Sequence, residues 1–257
     1  MTRPAIAPRT APLDQNDAPH AHGAIDLGER SAPIEVRINR RARRLIVRVD
    51  ALRGVVIVTA PSKRAIPEAV AFAQSRADWV RTCFAETGPP EPFVDGGVMP
   101  YRGGYIQIVN EGAPRAPVRM IASGQGQEKI YVGGDAAHVN RRVTDWLKKQ
   151  ARLAFTERTD QYANILNAKR GPISIRDPRS RWGSCASNGA LSFSWRLIMA
   201  PPWVLDYVAA HECAHLLHLD HSPAFWKVVK DLGFDERAAR AWFRAHGEAL
   251  HRWGRAA

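Results

Sequence analysis

The chain has 257 residues, of which 45% are hydrophobic, and it carries a formal net charge of +12. This length and hydrophobic content are typical of a globular protein with a sizeable core, and they exclude a fibrous or wholly disordered chain. No apolar run reaches the ~18 residues of a membrane span, and no hydrophobic segment of a secretory signal is present at the N-terminus. Three cysteines without a C-x-x-C pair indicate free thiols. We therefore expect a cytoplasmic protein without a membrane partner, and nothing in the sequence predicts its oligomeric state.

The positive charge has two interpretations. A surface with a pI of about 10.2 would attract polyanions. Many arginine-rich proteins are simply basic, however, and no nucleic-acid-binding motif accompanies the charge. Nucleic acid is thus a candidate partner suggested by charge alone.

Residues 1–31 are rich in Ala, Pro, Asp, His and Arg without periodicity, which predicts a disordered tail. Beyond it, alternating and β-rich segments predict six short strands, at 34–38, 45–49, 55–59, 105–109, 117–121 and 129–132. Pro67 and Glu68 open a helix that extends to about Phe84. Residues 32–133 are therefore predicted to be a small β-rich subdomain with one helix.

Four arginines separate the first two predicted strands: Arg40, Arg41, Arg43 and Arg44. They are either a solvated hairpin tip or a basic patch for an acidic partner. The sequence does not separate these interpretations.

Residues 134–257 have a different pattern. Apolar residues at three- and four-residue spacing predict a long helix from 136 to about 168. Strands are predicted at 173–176 and 190–195, on either side of the loop R-W-G-S-C, and helices at 223–232 and from 235 to about 250. The predicted fold class is α+β, with a small β-rich N-terminal subdomain followed by a domain that sets an active-site helix against a short sheet.

The motif H-E-x-x-H lies at His211–His215 within a predicted helix that starts near Pro202 and ends near Asp220. Positions four apart on a helix differ by about 40°, so both imidazoles can bind one Zn²⁺. Glu212 is placed to act as general base on a water at the metal. Apolar residues on most sides predict that this helix is buried. Burial removes the histidines from water, and a bound metal would compensate for that loss. Cys213 is expected in the core.

Catalytic zinc usually has three protein ligands and one open position. Our preferred third ligand is His221, which follows the predicted helix end. His218, Glu236 and Glu248 are the alternatives. All four local histidines together would instead close a structural site. The sequence predicts one Zn²⁺ per chain.

Four blocks in order resemble the YgjP-like family of zinc metallopeptidases, which is itself similar to the SprT-like proteases. They are R-W-G-S-C at 181–185, W-R-L-I-M-A-P at 195–201, the H-E-x-x-H helix, and H-S-P-A-F-W at 221–226. The resemblance spans about 34–250 and implies a zincin-like metallopeptidase domain over 134–257, with His211, His215 and His221 as ligands and Glu212 as base. Cys213 and Asp220 stand where Leu and Asn are common in the family, and neither is a ligand.

The implied function is zinc-dependent hydrolysis of peptide bonds in a peptide or protein substrate. Tyr207 and His218 are candidates to stabilise the oxyanion or to support the ligands. By resemblance, an exposed edge strand would pair with the substrate backbone, formed by Leu191, Ser192, Phe193, Ser194 and Trp195. The competing interpretation of that segment is an ordinary buried strand. The alternative function is a non-catalytic zinc-stabilised module or a basic nucleic-acid-associated factor.

Overall fold

The computed structural model describes residues 21–28, 31–51, 53–87, 90–112, 116–121 and 128–255. The chain divides into two units, Met1–Glu86 and Thr87–Ala257, and each has its own hydrophobic core. The expected boundary at 133/134 lies inside the second unit, because strand residues such as Ile106 and Ile130 share one core with helix residues such as Leu147. Among the described helices, none combines the length and apolar character needed to cross a membrane.

The first unit contains a four-stranded sheet with the order β1-β2-β4-β3. Its strands are β1 (Ala21–Asp26), β2 (Ser31–Ile38), β3 (Ile46–Asp50) and β4 (Val55–Ala60). β2 and β4 are parallel, and the outer pairs are antiparallel. The first of these strands falls within the segment 1–31 that was expected to be disordered. Its one large apolar residue in the core, Ile25, gives too little pattern to predict a strand. Residues 1–20 lie outside the described residues.

Two helices follow this sheet where the sequence predicts one. A 3-10 turn (Lys63–Ala65) leads into α1 (Ile66–Gln74), and α2 (Ala77–Thr87) comes after a short break. At the break the Ser75 hydroxyl donates to the carbonyl oxygen of Phe72 at 2.8 Å, a local bond that competes with helix continuation. Small residues of the first helix, Ala69 and Ala73, are fully buried in this unit's core.

The second unit opens with a sheet of the same design, in the order β5-β6-β8-β7. Its strands are β5 (Val98–Tyr101), β6 (Gly104–Asn110), β7 (Arg119–Ile121) and β8 (Lys129–Val132). Strand directions match the first sheet pair by pair. A 3-10 turn (Ala136–His138) and a helix, α3 (Val139–Ile165), again come next. One arrangement of strands, turn and helix therefore occurs twice in the chain.

A three-stranded sheet, in the order β10-β11-β9, and a group of helices complete the second unit. The strands are β9 (Ile173–Arg176), β10 (Gly183–Cys185) and β11 (Leu191–Ser194). A 3-10 segment (Trp195–Met199) precedes α4 (Pro202–Ala214), α5 (Pro223–Asp231), α6 (Glu236–Trp242) and a π-helical turn (Phe243–Gly247). Phe155 and Phe193 stack at 4.0 Å between α3 and this sheet. The predicted α+β fold, with the motif helix set against a short sheet, is confirmed.

Candidate metal centre

The motif helix α4 begins as the sequence predicts and ends earlier. Pro202 occupies its first turn, and buried apolar residues such as Val204 and Val208 fix it in the core. Its last residue is Ala214, with His215 as the C-cap, whereas the apolar pattern predicts helix to near Asp220. The chain then turns, with the amide of Leu217 donating to the carbonyl of Ala214.

This early end brings the third histidine back to the first two. The potential ligand atoms of His211, His215 and His221 all lie within 4.8 Å of one another. The Nε2 atoms of His211 and His221 are 3.2 Å apart. Two nitrogens on one tetrahedral zinc are about 3.3 Å apart, given Zn–N bonds of about 2.05 Å. The His211–His221 distance therefore matches that of two ligands on one zinc ion, and His215 offers a third nitrogen within 4.8 Å of the other two.

Hydrogen bonding and burial set the protonation of these rings. His215 Nδ1 lies 2.9 Å from the carbonyl oxygen of His218. A carbonyl can only accept, so Nδ1 carries the proton and the Nε2 lone pair is free to bind a metal. Burial, together with the charges of His215 and His221, lowers the pKa of His211 to about 3. Burial also lowers the pKa of His215. Neutral rings are the form that binds metal.

Two aromatic residues of α5 support the three imidazoles. Ser222 caps this helix, with its Oγ accepting from the amide of Phe225 at 3.4 Å. The ring centroid of Phe225 lies 4.4 Å from His215, 4.8 Å from His221 and 4.9 Å from His211. The Trp226 ring stacks on His221 at 5.5 Å. The cap thus helps to place two aromatic rings of α5 against the three imidazoles.

Glu212 is buried, with 5% of its surface exposed, and it lies against the backbone of β10. A Cβ atom added to Gly183 would be 2.6 Å from its Oε1. The charge of Arg181 and a hydrogen bond from the backbone N–H of Cys185 both favour the carboxylate and lower its pKa. Burial outweighs both effects and raises the pKa of Glu212 to about 8.

The segment expected to be an exposed edge strand has another place in the sheet. Leu191–Ser194 is the middle strand, antiparallel to β10 on one side and parallel to β9 on the other. Leu191, Phe193, Ser194 and Trp195 are buried. Both edges of β11 are therefore already hydrogen-bonded within the sheet. The segment is a buried central strand and not the exposed edge strand that we expected. The outer strand beside Glu212 is β10, which lies inside the R-W-G-S-C block that the sequence predicts to be a loop.

The other residues considered from the sequence fall outside the ligand cluster. The His218 side chain is not part of it; the residue contributes its carbonyl oxygen. Glu236 pairs with Arg240 at 2.5 Å, and Glu248 is likewise outside the cluster. Cys213 is fully buried, as expected.

Tyr207 lies near the first ligand. Its ring is buried, with its centroid 5.8 Å from that of His211, and it makes an edge contact with Phe234 at 6.1 Å. Burial raises the pKa of Tyr207 to about 12, so the phenol keeps its proton. An oxyanion donor needs that proton, but packing in the core also accounts for the contacts.

Three groups that contact Glu212 or His215 are not predicted from the sequence: Gly183, the amide of Cys185 and the carbonyl of His218. The last two are backbone groups and have no signature in residue type. The glycine does have a signal, because glycine within a strand often marks the close approach of another group. It falls inside the R-W-G-S-C block.

Two solved structures are similar to part of the chain. The metallopeptidase zymogen of Pyrococcus abyssi abylysin is 21% identical with a TM-score of 0.32, and the match covers 37% of this chain and 93% of that chain. The metallopeptidase zymogen of Methanocaldococcus jannaschii jannalysin is 15% identical with a TM-score of 0.30, and the match covers 34% of this chain and 81% of that chain. No curated protein matches the chain.

A family model gives a longer match. The model described as the YgjP-like metallopeptidase domain matches residues 43–246. That range includes the R-W-G-S-C block, the H-E-x-x-H helix and the aromatic residues of α5. It extends over most of the chain, and the chain belongs to the YgjP-like metallopeptidase family.

Proposed function

We propose that this metallopeptidase holds one Zn²⁺ per chain on His211, His215 and His221 and hydrolyses peptide bonds with Glu212 as general base. The observation that carries the proposal is the convergence of three imidazoles within 4.8 Å. The bond from His215 Nδ1 to the His218 carbonyl supports it further, because that bond directs the other ring nitrogen to the metal. Three histidines also leave one position of a tetrahedral ion open, as catalysis requires.

The chain's own groups supply the proton transfers. When bound, Zn²⁺ contributes Lewis-acid chemistry that activates a water molecule and polarises a peptide carbonyl. The pKa of Glu212 would fall from its buried value beside a dication on the three histidines, which would favour the carboxylate. That carboxylate takes a proton from the attacking water and delivers it to the leaving amine. The Tyr207 hydroxyl is our candidate donor to the oxyanion.

The substrate class is a peptide or protein, and we place its backbone along β10. This strand lies at the end of its sheet and next to Glu212, whereas β11 is hydrogen-bonded on both sides. Pairing through backbone groups holds an extended substrate whatever its sequence. Side chains of the substrate are then selected elsewhere in the site.

The test of this function is cleavage of an unfolded protein such as casein. We expect cleavage by the zinc-loaded protein, its loss with a chelator, and its return when zinc is added. His215→Ala should bind less zinc and lose cleavage, whereas His138→Ala, which removes an exposed histidine from the 3-10 turn before α3, should keep both. Cleavage that persists without zinc would contradict the proposal.

A closed structural zinc site makes a different spectroscopic prediction. Four histidine ligands would exclude water, whereas three leave a position that an added anion can enter. The absorption spectrum of the cobalt-substituted protein should therefore change when azide is added. A spectrum that azide leaves unchanged in the wild type and that His218→Ala alters would favour the structural site.

A further inference from the structure

Six cationic residues gather at one end of the first sheet. Strand β2 ends where Ile38 pairs with Ala60 of β4, and β3 starts where Ile46 pairs with Thr59. The loop 39–45 therefore crosses the end of β4 and is not the tip of a hairpin. The 3-10 turn begins just after the same strand end. The loop and turn together carry what we call the basic end: Arg40, Arg41, Arg43, Arg44, Lys63 and Arg64, all exposed.

The positive surface continues onto the outer face of the sheet through the exposed residues Arg37 and Arg48. The acids of β2 and β3 do not neutralise it. Glu35 is bound by Arg53 through two hydrogen bonds, at 2.6 Å and 3.2 Å. Asp50 lies at the opposite end of β3, where its neighbour across the strand pair is Val55. Between described residues, no ion pair involves any of these eight cations.

The second sheet shows that the fold does not require this charge. Its strands have the same order and directions, and its equivalent loop is E-G-A-P-R-A-P-V at 111–118. Glu111 there pairs with Arg119 at 2.6 Å. The equivalent turn has the sequence G-G-D-A-A-H, in which Asp135 caps the amide of Ala137 at 2.9 Å. The same strand order and directions are therefore built with a loop sequence of no net charge and a turn sequence without Lys or Arg.

We infer that the basic end binds the phosphate backbone of double-stranded DNA. Seven of the eight cations are arginine, and a guanidinium matches two phosphate oxygens at once. The surface contains one exposed large apolar side chain among its described residues, Ile46, whereas a protein partner needs an apolar anchor. Neither the loop, the turn nor the outer face has an aromatic residue on which single-stranded bases could stack. Contacts to phosphate alone give binding without sequence preference.

The test is fluorescence anisotropy of a labelled DNA duplex at salt concentrations from about 50 mM to about 200 mM. The wild-type protein is compared with a variant that carries Arg40→Gln, Arg41→Gln, Arg43→Gln and Arg44→Gln. A control variant removes the same charge from exposed positions of the second unit, through Lys227→Gln, Lys230→Gln, Arg237→Gln and Arg244→Gln. Circular dichroism checks that all three proteins are folded.

We expect the four-arginine variant to bind the duplex at least about tenfold more weakly at low salt, and the slope of log K against log salt to fall by about 3. The control should retain most of the wild-type affinity. Equal losses in both variants would overturn the inference in favour of net charge alone. Tighter binding to a single strand, or to vesicles of anionic lipid, would overturn it as well. Zinc content does not enter these readouts, so the result is independent of the peptidase assay.

Discussion

At the scale of single residues, Gly183 determines where the carboxylate of Glu212 can lie. Its missing side chain leaves room for that carboxylate, which then accepts from the neighbouring amide of Cys185. Residue types in the motif predict which residues we propose as the base and the ligands. The groups that hold them in place are a glycine and two backbone atoms, which explains why the sequence predicts the former better than the latter.

Gly183→Ala should lower peptide cleavage by about tenfold to a hundredfold and leave zinc content unchanged. The added Cβ would be 2.8 Å from Cγ of Glu212, so this side chain must move while the three histidines need not. Steady-state rates and metal analysis of the purified variant measure both effects. Gly104→Ala is the control, because the nearest atom to its added Cβ is 3.8 Å away. Wild-type rates in Gly183→Ala would contradict this role.

Trp226→Ala should weaken zinc binding by about tenfold, because the indole supports the His221 ring by stacking. Competition with a chromophoric chelator gives the affinity. Trp203→Ala removes another tryptophan of the same unit, 41% exposed and in contact with Trp242, and should leave the affinity unchanged. An unaltered zinc affinity in Trp226→Ala would show that Phe225 and the Ser222 cap suffice.

At the scale of elements, the start of α4 is predictable and its end is not. Proline in the first turn and the apolar residues behind it are local signals. The end depends on the bond between His215 and the His218 carbonyl, which forms only in the folded turn. The same limit applies to β11, since alternation marks a strand without saying which neighbours it has.

One buried arginine of the 3-10 segment before α4 forms hydrogen bonds with the C-terminal residues 250–253. Arg196 is 2% exposed and donates to the carbonyl oxygens of Leu250 and Trp253, both at 2.8 Å. Its guanidinium also binds Asp177 through two hydrogen bonds, at 2.6 Å and 3.0 Å. Asp177 correspondingly has a lowered pKa despite its partial burial.

Arg196→Met should lower the free energy of unfolding by about 3 kcal/mol, because it leaves Asp177 and two carbonyls without their donor. Chemical denaturation followed by fluorescence measures the loss. Arg158→Met removes a more exposed arginine, which pairs with Asp206, and should cost about 1 kcal/mol or less. Equal losses of unfolding free energy in the two variants would mean that the buried Arg196 stabilises the fold no more than the more exposed Arg158.

His251 gives this C-terminal region a pH dependence. Burial, reinforced by the charge of Arg196, lowers its pKa to about 4. An unfolded histidine has a pKa of about 6.5, so below that pH the unfolded state takes up a proton that the folded state does not. Stability is therefore complete above about pH 6.5 and falls as the pH drops towards 4.

The wild type should lose about 2 kcal/mol more stability between pH 7 and pH 5 than His251→Phe, whose ring can still stack on Trp182. Denaturation midpoints of both proteins at the two pH values give this difference. Both proteins keep His211, His215 and His221, so the titration of these three side chains cancels in the comparison. Parallel losses in the two proteins would assign the pH dependence to other groups.

At the scale of the whole molecule, the chain uses one arrangement of four strands, a turn and a helix in each of its two units. The first copy carries the basic end, and the second leads through α3 to the candidate metal centre. The strand patterns predict β2, β3, β4, β6, β8 and β9 well and miss β1, β5 and β10. They give no hint of the repeat, because loops with different charges and lengths separate the strands. The expected boundary at 133/134 follows from the change from a strand-like to a helical residue pattern, whereas the two units are distinguished by which strands share a core.

Peptide hydrolysis at the proposed zinc site should depend on the carboxylate of Glu212. The cleavage rate of Glu212→Gln, at a zinc content equal to that of the wild type, measures this dependence. We predict full zinc occupancy and a rate at least about a hundredfold lower, because the amide cannot accept the proton of the attacking water. Cleavage by Glu212→Gln at the wild-type rate would show that Glu212 is not the general base.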